Sequence, residues 1–179
     1  MSTYPNSGAF SITSILPNST SDPSKLLSNA QFGFSGLSGQ TITIASQDTF
    51  TDITASYLTN TPGPDFTLSD ATIGEITYNG KPAFIEITYI ISVAAATGSR
   101  QTEISCFSDE GSGYAESAGI PSGSITFANV PSSSTITMIS KFIRFSNTGT
   151  KFKLMIKNRD STDNYTIYTS VITSKNLAS

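Results

Sequence analysis

The stretch from Ala83 to Val93 alternates strictly between two sets of side chains. One set is apolar throughout and consists of Ala83, Ile85, Ile87, Tyr89, Ile91 and Val93. The other set is mixed and consists of Phe84, Glu86, Thr88, Ile90 and Ser92. Successive side chains of a β-strand point to opposite faces, so the pattern predicts a strand with one continuous apolar face. We expect a strand of this length at the centre of a sheet.

The residues just before this strand carry a turn signal. Asn79 and Gly80 tolerate the positive φ angles of a two-residue hairpin turn, and Pro82 suits the start of a strand. The sequence therefore predicts a hairpin, in which a strand that begins at Glu75 is joined to the strand that begins at Ala83.

The composition favours strands along the rest of the chain. There are 30 serines and 25 threonines among the 179 residues, whereas charged residues make up only 13%. Serine and threonine compete with a helical backbone for hydrogen bonds, while threonine suits strands that have one face in water. Turn residues separate about eight apolar segments after residue 48, which is typical of an antiparallel β-sandwich or jelly roll. The predicted fold is all-β.

The first 48 residues differ from the rest. They are rich in serine, asparagine, proline and glycine, and their only charged residues are Asp22, Lys25 and Asp48. The short apolar islands at residues 10–16 and 25–27 contain too many apolar side chains for a simple tether. Two interpretations stay open, namely an arm that docks on another copy or a different protein, and an edge strand and loop that wrap the chain's own domain.

A division of the chain follows from these patterns. Residues 32–39, with a glycine at every third position, predict a linker, and residues 40–45 alternate like a first strand. We therefore expect residues 1–48 to form an N-terminal docking arm and linker, and residues 49–179 to form the folded domain.

Charge and residue types exclude several functions. The net charge is −3, and nucleic-acid binding would need a basic patch. The nearest candidate is Lys151, Lys153 and Lys157, whose alternation with apolar residues is typical of the solvated side of a strand. The chain has no histidine, which excludes a serine–histidine or cysteine–histidine nucleophile. We expect no enzymatic activity, no cofactor and no nucleic-acid partner.

The single cysteine and the lengths of the apolar runs bear on disulfide bonds, secretion and membrane insertion. Cys106 lies in an alternating segment and has no partner for an intrachain disulfide, so we expect it in the core. The N-terminus has no basic start followed by an apolar run, and no segment reaches the length of a membrane span. We expect neither a secretory signal nor a membrane partner.

Two polar stretches contain carboxylates. Residues 108–123 form the longest irregular stretch, and loops of this length are usually functional or mobile. The acidic residues of this stretch are Asp109, Glu110 and Glu116. Acids that share one glycine-rich loop are more often solvated than catalytic. A later turn contains Asp160, Asp163 and Asn164, for which calcium coordination and Asx turns are both open explanations.

The order of the strands matches a known pattern. Its first part is Phe66-Thr67-Leu68, then Ile76-Thr77-Tyr78-Asn79-Gly80, then Ala83-Phe84-Ile85 through Ile91-Ser92-Val93. Its closing part is Phe142-Ile143-Arg144-Phe145, then Thr148 to Phe152 with Leu154 and Ile156, then Asn164 to Ile172. From residue 50 to residue 177 this run resembles the jelly-roll domains of the C1q and tumour necrosis factor (TNF) family, a run that many viral and phage surface proteins carry.

The resemblance implies a compact homotrimer packed about a threefold axis, with apolar residues of one sheet face meeting at that axis. It also implies a binding or structural role on the surface of a particle. On this interpretation Phe84 and Ile90 lie in the subunit interface. The alternative is a strand that is buried between the two sheets of its own chain.

Two functions fit this interpretation. The first is a non-enzymatic virion structural protein, a capsid decoration, spike or fibre head on the virion surface, which the N-terminal arm anchors to other virion proteins. The second is an adhesin or lectin module that binds a host receptor or a glycan. For the second function, the expected contact residues in the long loop are Asp109, Glu110, Tyr114 and Glu116.

Overall fold

The described part of the chain is built from strands. The computed structural model describes residues 29–117, 119 and 125–177. The strands in chain order are β1 (Asn29–Ile42), β2 (Thr51–Asp52), β3 (Leu58–Thr61), β4 (Phe66–Asp70), β5 (Glu75–Tyr78), β6 (Ala83–Ala95), β7 (Arg100–Asp109), β8 (Ala115–Glu116), β9 (Ile125–Val130), β10 (Thr135–Phe145), β11 (Thr150–Asn158) and β12 (Tyr165–Leu177). Within these ranges no residue is helical, which confirms the all-β prediction. Likewise, no helix there is long and apolar enough to cross a membrane.

The strands form two antiparallel sheets that pack face to face. Sheet A has the order β10-β6-β12-β1-β3. Sheet B has the order β4-β5-β11-β7-β8, with β2 paired to β11 and β9 paired to β7. Most neighbours within a sheet are distant in the sequence, because the chain crosses repeatedly from one sheet to the other, as it does in a jelly roll. The predicted antiparallel sandwich is confirmed.

The long alternating strand lies inside sheet A, where β6 pairs with β10 on one side and β12 on the other. Its apolar set points into the core, and Ile85, Ile87, Tyr89 and Ile91 are fully buried. Burying an apolar side chain of this size stabilises the folded state by about 1.5–3 kcal/mol. The core side chains that sheet B contributes include Phe66, Ile76, Tyr78, Ile104, Cys106, Phe152, Leu154 and Ile156. The prediction of a central strand with one apolar face is confirmed.

The predicted hairpin at Asn79 and Gly80 is wrong. β5 pairs with β4 and β11 in sheet B, whereas β6 belongs to sheet A. The turn therefore carries the chain from one sheet to the other. Gly80 is needed for a different reason, because a Cβ atom there would lie only 2.5 Å from Cζ of Tyr78. Such a close approach depends on tertiary packing, which turn statistics do not contain.

The predicted linker at residues 32–39 is also wrong. These residues belong to β1, which lies between β12 and β3 and pairs with both. Phe32 is fully buried in the core. Gly33 allows close packing, since a Cβ atom there would lie 3.0 Å from the side-chain nitrogen of Asn60. Gly33 thus serves a strand that is flanked on both sides, and Gly36 and Gly39 belong to the same strand β1 where its register against β12 shifts.

The sandwich therefore includes residues well before the expected boundary at residue 48. Residues 29–48 contribute β1 and the buried side chains of Ile42 and Ile44. The first strand expected at residues 40–45 is only the end of β1, which stops at Ile42. The apolar islands at residues 10–16 and 25–27 lie outside the described residues, and a docking role for residues 1–28 stays a prediction.

Candidate interaction surface

The outer face of sheet A exposes large apolar side chains from three of its strands. They are Leu58, Phe84, Ile90, Ile136, Met138 and Phe142. Ile136 and Met138 are 74% and 68% exposed. The two residues predicted for the interface, Phe84 and Ile90, are 54% and 37% exposed. Ile90 pairs with Met138 on one side and Val171 on the other, which joins these three side chains across the strands. Phe84 and Phe142 lie further along the same face, beyond the paired residues Thr88 and Ser140.

This surface arises because β10 carries apolar residues on both of its faces. β10 pairs with β6 along its whole length without a register shift. Strict alternation therefore turns Met138 outward and its neighbour Ile139 into the core. Since β10 is an edge strand of sheet A, the apolar surface extends to the rim of the sandwich. Exposed apolar surface of this kind is typical of sites of interaction.

Few charges interrupt the apolar surface. Glu86 pairs with Lys175 of β12 in the strand register, and Arg144 of β10 pairs with Phe84. None of these three charged side chains forms an ion pair within the part of the chain that the structure describes. This face thus presents both acidic and basic side chains that a partner could bind.

The outer face of sheet B is covered by the chain's own side chains. Its ion pairs are Lys151–Glu75, Lys153–Asp52, Lys157–Asp48, Lys157–Glu103, Arg159–Asp48 and Arg159–Glu103. Nζ of Lys153 lies 2.6 Å from Asp52 and 4.2 Å from the ring centre of Tyr114. The expectation that the lysines of β11 are solvated is wrong for Lys153, which is buried under these two residues. The two sheets therefore differ, with face B closed by its own charges and face A open.

The described first part of the predicted contact loop, residues 108–117, is folded onto the domain. β8 pairs with the end of β7, so the loop begins as a short hairpin. Asp109 Oδ1 accepts hydrogen bonds from the backbone nitrogens of Gly111 at 2.7 Å and Gly113 at 2.9 Å, and these bonds lower the pKa of the Asp109 carboxyl group. Glu110 is exposed and accepts a 3.3 Å hydrogen bond from Asn147 Nδ2.

The other two predicted contact residues point towards sheet B. The hydroxyl of Tyr114 donates to the carboxylate of Glu75, and Glu116 Oε1 accepts a 2.5 Å hydrogen bond from Ser105 Oγ. Burial and the bond to Glu75 raise the pKa of Tyr114. Burial alone would raise the pKa of Glu75, but hydrogen bonds from Tyr114, Ser69 and Lys151 outweigh it and lower that pKa. Tyr114 and Glu116 thus fasten the hairpin, and a role for the four residues in ligand contact stays a prediction.

An open groove of about 230 Å³ separates this hairpin from β10. Its lining includes Glu110, Glu116, Ser117, Ile143 and Arg144. The groove combines carboxylates, hydroxyl groups and a guanidinium group, which are the groups that hydrogen-bond to sugars or polar peptides. It lies beside the apolar surface, because Arg144 also belongs to β10.

Cys106 lies in the core as predicted. Its sulfur is 3.1 Å from the hydroxyl oxygen of Tyr89, which is fully buried. Burial raises the pKa of the Cys106 thiol, so the reactive thiolate is disfavoured. This environment is that of a small core residue.

The turn at residues 160–164 uses its oxygens for protein hydrogen bonds. Asp160 Oδ2 accepts from the backbone nitrogen of Gln101 at 2.6 Å, and Asn164 Oδ1 accepts from that of Ile44 at 3.0 Å. Asp163 accepts from Thr97 at 2.8 Å and also from Arg100, and these bonds lower its pKa. Among the described residues no group of three or more His, Cys, Asp or Glu side chains is placed to hold a metal ion. All of these donors lie outside the turn, so the three side chains fasten it to the start of β7, to the loop before β7 and to the residues that follow β1.

Comparison with known structures identifies the type of fold. No protein family model and no curated protein matches the sequence. The structure of Eiger TNF from S. frugiperda aligns with a TM-score of 0.57 at 12% identity, covering 85% of this chain and 93% of that one. Murine APRIL aligns with a TM-score of 0.53 at 5% identity, covering 83% and 99%. The fold is a TNF-like jelly roll.

The TNF-like jelly roll agrees with the resemblance seen in the strand pattern. The PRD1 vertex protein P5 aligns with a TM-score of 0.49 at 16% identity, covering 85% of this chain and 97% of that one, and is too distant to support a conclusion.

The sequence analysis did not predict Ile136, Met138 and Leu58 as members of the exposed surface. The available signal was the phase of β10, where Ile136 and Met138 alternate out of step with Ile139 and Ile143.

Proposed function

We propose that this protein is a non-enzymatic structural protein of a virion surface. It acts as a homotrimeric TNF-like jelly roll in a capsid decoration, spike or fibre head. Residues 1–28 anchor it to other virion proteins, and the sandwich from residue 29 onward forms the outer, exposed body.

The exposed apolar face of sheet A carries this proposal. Phe84, Ile90 and Met138 are exposed on this one face, whereas the charged side chains on the opposite face form ion pairs within the chain. Soluble monomers rarely expose large connected apolar patches, because such surface favours association. Packing face A about a threefold axis buries the same residues in every copy, since the symmetry repeats one contact three times.

The virion part of the proposal has separate support. The strand run from residue 50 to residue 177 resembles jelly rolls that many viral and phage surface proteins carry, and the observed fold agrees with that resemblance. Residues 1–28 contain one acidic and one basic residue, Asp22 and Lys25. A segment with so little positive charge fits contact with other proteins better than contact with genome phosphates.

Native mass spectrometry of the purified chain tests the assembly. We expect a species at three times 18.9 kDa at micromolar concentration. A strict monomer under those conditions contradicts the trimer. The location is tested separately, by immunogold electron microscopy of particles from the source that produces the chain. Gold label on the particle exterior supports the virion role, and particles without label contradict it.

The groove between the long hairpin and β10 favours a second function, the binding of a glycan or receptor. Glu110 is exposed at this groove and Arg144 lines its other wall. Glycan-array binding that is lost in Glu110→Gln, with the same mass in native spectrometry, would support it. No binding to any glycan on the array would contradict the glycan form of this function.

A further inference from the structure

The last two residues of β12 have a pairing partner on only one side. From Asn29 to Ser35, β1 pairs with β12 in one unbroken register, in which Asn29 lies opposite Lys175. β12 continues to Leu177, and beyond Lys175 its pairs among the described residues are with β6 alone. The side of β12 that β1 covers elsewhere is therefore open to a further segment at this end of sheet A.

The N-terminal residues outside the described ranges join the sheet at this place. Residue 28 directly precedes Asn29, and the start of β1 is tightly packed, because a Cβ atom at Gly63 would clash with the carbonyl oxygen of Asn29. Consecutive Cα atoms are about 3.8 Å apart. The end of β12 that residues 27 and 28 can reach is therefore that of their own copy.

The register assigns a place to each of these two residues. Continued by one pair, it sets Ser28 opposite Asn176. Continued by a second pair, it sets Leu27 opposite Leu177. Asn29 is exposed on the outer face of sheet A, and side chains alternate along a strand. Leu27 would then share the outer face, while Ser28 would turn to the inner face.

The outer position extends an apolar row. Leu177 is half-buried and pairs with Phe84 of β6, which is exposed. Directly paired residues of neighbouring strands lie on the same face and contact each other. A leucine opposite Leu177 would therefore add a third apolar side chain to this row and remove apolar surface from water.

The inner position faces a buried acceptor that needs a donor. Nδ2 of Asn176 donates to the hydroxyl oxygen of Tyr78 at 3.1 Å and to Oδ2 of Asp65 at 3.3 Å, which fixes the orientation of the amide. Its Oδ1 is buried and accepts no hydrogen bond from the described residues. Buried polar atoms in folded proteins nearly always have a partner. A serine opposite Asn176 brings a hydroxyl donor to this position.

We propose that residues 27 and 28 dock against the end of β12 of their own chain. Leu27 packs beside Leu177, and the hydroxyl of Ser28 donates to Oδ1 of Asn176. The docking fixes the point at which the N-terminal arm leaves the domain, and it leaves residues 1–26 for the anchoring role proposed above. It goes beyond that role and depends neither on the trimer nor on the virion.

Disulfide trapping in the full chain tests the register. In the variant Leu27→Cys, Leu177→Cys the two thiols occupy the proposed pair, and paired Cα atoms of antiparallel strands lie within disulfide range. Mild oxidation should therefore close an intrachain disulfide, seen as the loss of two hydrogen atoms in the intact mass. The matched control is Leu26→Cys, Leu177→Cys, whose first cysteine lies on the other side of the strand and should react far less. Cys106 is buried and does not compete while the chain is folded.

The outcomes of the trapping decide the docking. Absence of the intrachain disulfide in the Leu27 variant, or an equal yield in the Leu26 control, would overturn the proposed register. A disulfide that joins two copies would overturn the assignment to the same chain. The readout is independent of the oligomeric state, so a monomeric wild type contradicts the trimer and leaves the docking standing.

A double-mutant cycle in urea denaturation tests the hydrogen bond. The variants are Ser28→Ala, Asn176→Ala and the combination of the two. If Ser28 donates to Asn176, the shift of the urea midpoint in the double variant should be smaller than the sum of the two single shifts. Additive shifts, or no shift in Ser28→Ala, would show that the buried acceptor is not satisfied by this serine.

Discussion

Met138 and Ile139 are consecutive in β10, yet Met138 is exposed on the outer face of sheet A while Ile139 is buried between the sheets. Met138 pairs with Ile90 of β6, which is also exposed, and Ile139 pairs with Tyr89, which is also buried. One strand thus supplies both the core of a single copy and the surface proposed to join copies. Substitutions at these two neighbours should therefore separate assembly from folding.

Met138→Asp is expected to prevent trimer formation while the chain stays folded. A carboxylate in an apolar contact would lose water without gaining a partner, whereas in the free chain the site is exposed and the cost is small. Native mass spectrometry should show a monomer, and far-UV circular dichroism should be unchanged. A Met138→Asp trimer as stable as the wild type would contradict the role of this face.

The matched substitution is Ile139→Ala, which removes core atoms from the adjacent position. We expect it to lower the free energy of unfolding by about 2–5 kcal/mol, because the cavity that it leaves in a packed core adds to the lost burial. Urea denaturation followed by circular dichroism measures this loss. A loss below about 0.5 kcal/mol, the range of surface substitutions, would be inconsistent with the observed burial.

Truncation should distinguish the strand β1 from the residues before it. A chain that begins at residue 29 is expected to keep the sandwich, whereas a chain that begins at residue 49 should not fold. The second truncation removes β1, which is one of the two partners of β12 and the partner of β3, and takes Phe32 and Ile42 out of the core. Circular dichroism and a cooperative urea transition report the difference. Cooperative unfolding of the shorter chain would show that β1 is dispensable.

The carboxylate of Glu75 should make stability depend on pH on the acidic side. Its pKa is lowered in the folded chain, so the folded state binds the proton more weakly than the unfolded state. The stabilisation is fully present above the usual pKa near 4.5 and is lost as the pH falls through the lower folded value. Tyr114→Phe removes one hydrogen bond to the carboxylate, so the acid-side loss should become smaller.

The measurement for Glu75 is a series of urea transitions at several pH values below neutrality, on the wild type and on Tyr114→Phe. Asp109 and Asp163 also have lowered pKa values, so the difference between the two proteins is informative and the wild-type curve alone is not. The two proteins should approach each other in stability as the pH falls. Parallel curves would mean that Tyr114 does not act through the Glu75 carboxylate.

Gly39→Ala should cost more stability than Gly98→Ala. Both glycines have left-handed backbones, with φ of +67° and +58°. A Cβ atom at Gly39 meets Thr166 and lies 3.1 Å from the ring of Tyr168, whereas the nearest atom to one at Gly98 is Arg100 Nη1 at 3.5 Å. The shared backbone penalty is about 1 kcal/mol. Chemical denaturation should show a larger loss for Gly39→Ala, and equal losses would mean that β1 relaxes freely at Gly39.

Alternating side chains in β6 predicted the central strand, because burial of one face leaves a period of two in the residues themselves. The same logic placed Cys106 in the core. The pairing of β5 with β11 and of β6 with β10 could not be predicted in this way, since partners come from distant parts of the chain. The local signal at Asn79 and Gly80 correctly marked the end of β5, but neither residue has the positive φ of the predicted hairpin turn, and the signal said nothing about which sheets are joined.

The sequence by itself determined that this chain forms strands with one apolar face, because side-chain size, β-branching and polarity act locally and leave a period that can be counted. Only the tertiary structure decided that Phe32 lies inside a sheet, that Tyr114 closes face B, and that Met138 and Ile136 are left uncovered on face A. Those outcomes depend on which strands become neighbours. That choice is made by packing the two sheets together, which no local pattern encodes.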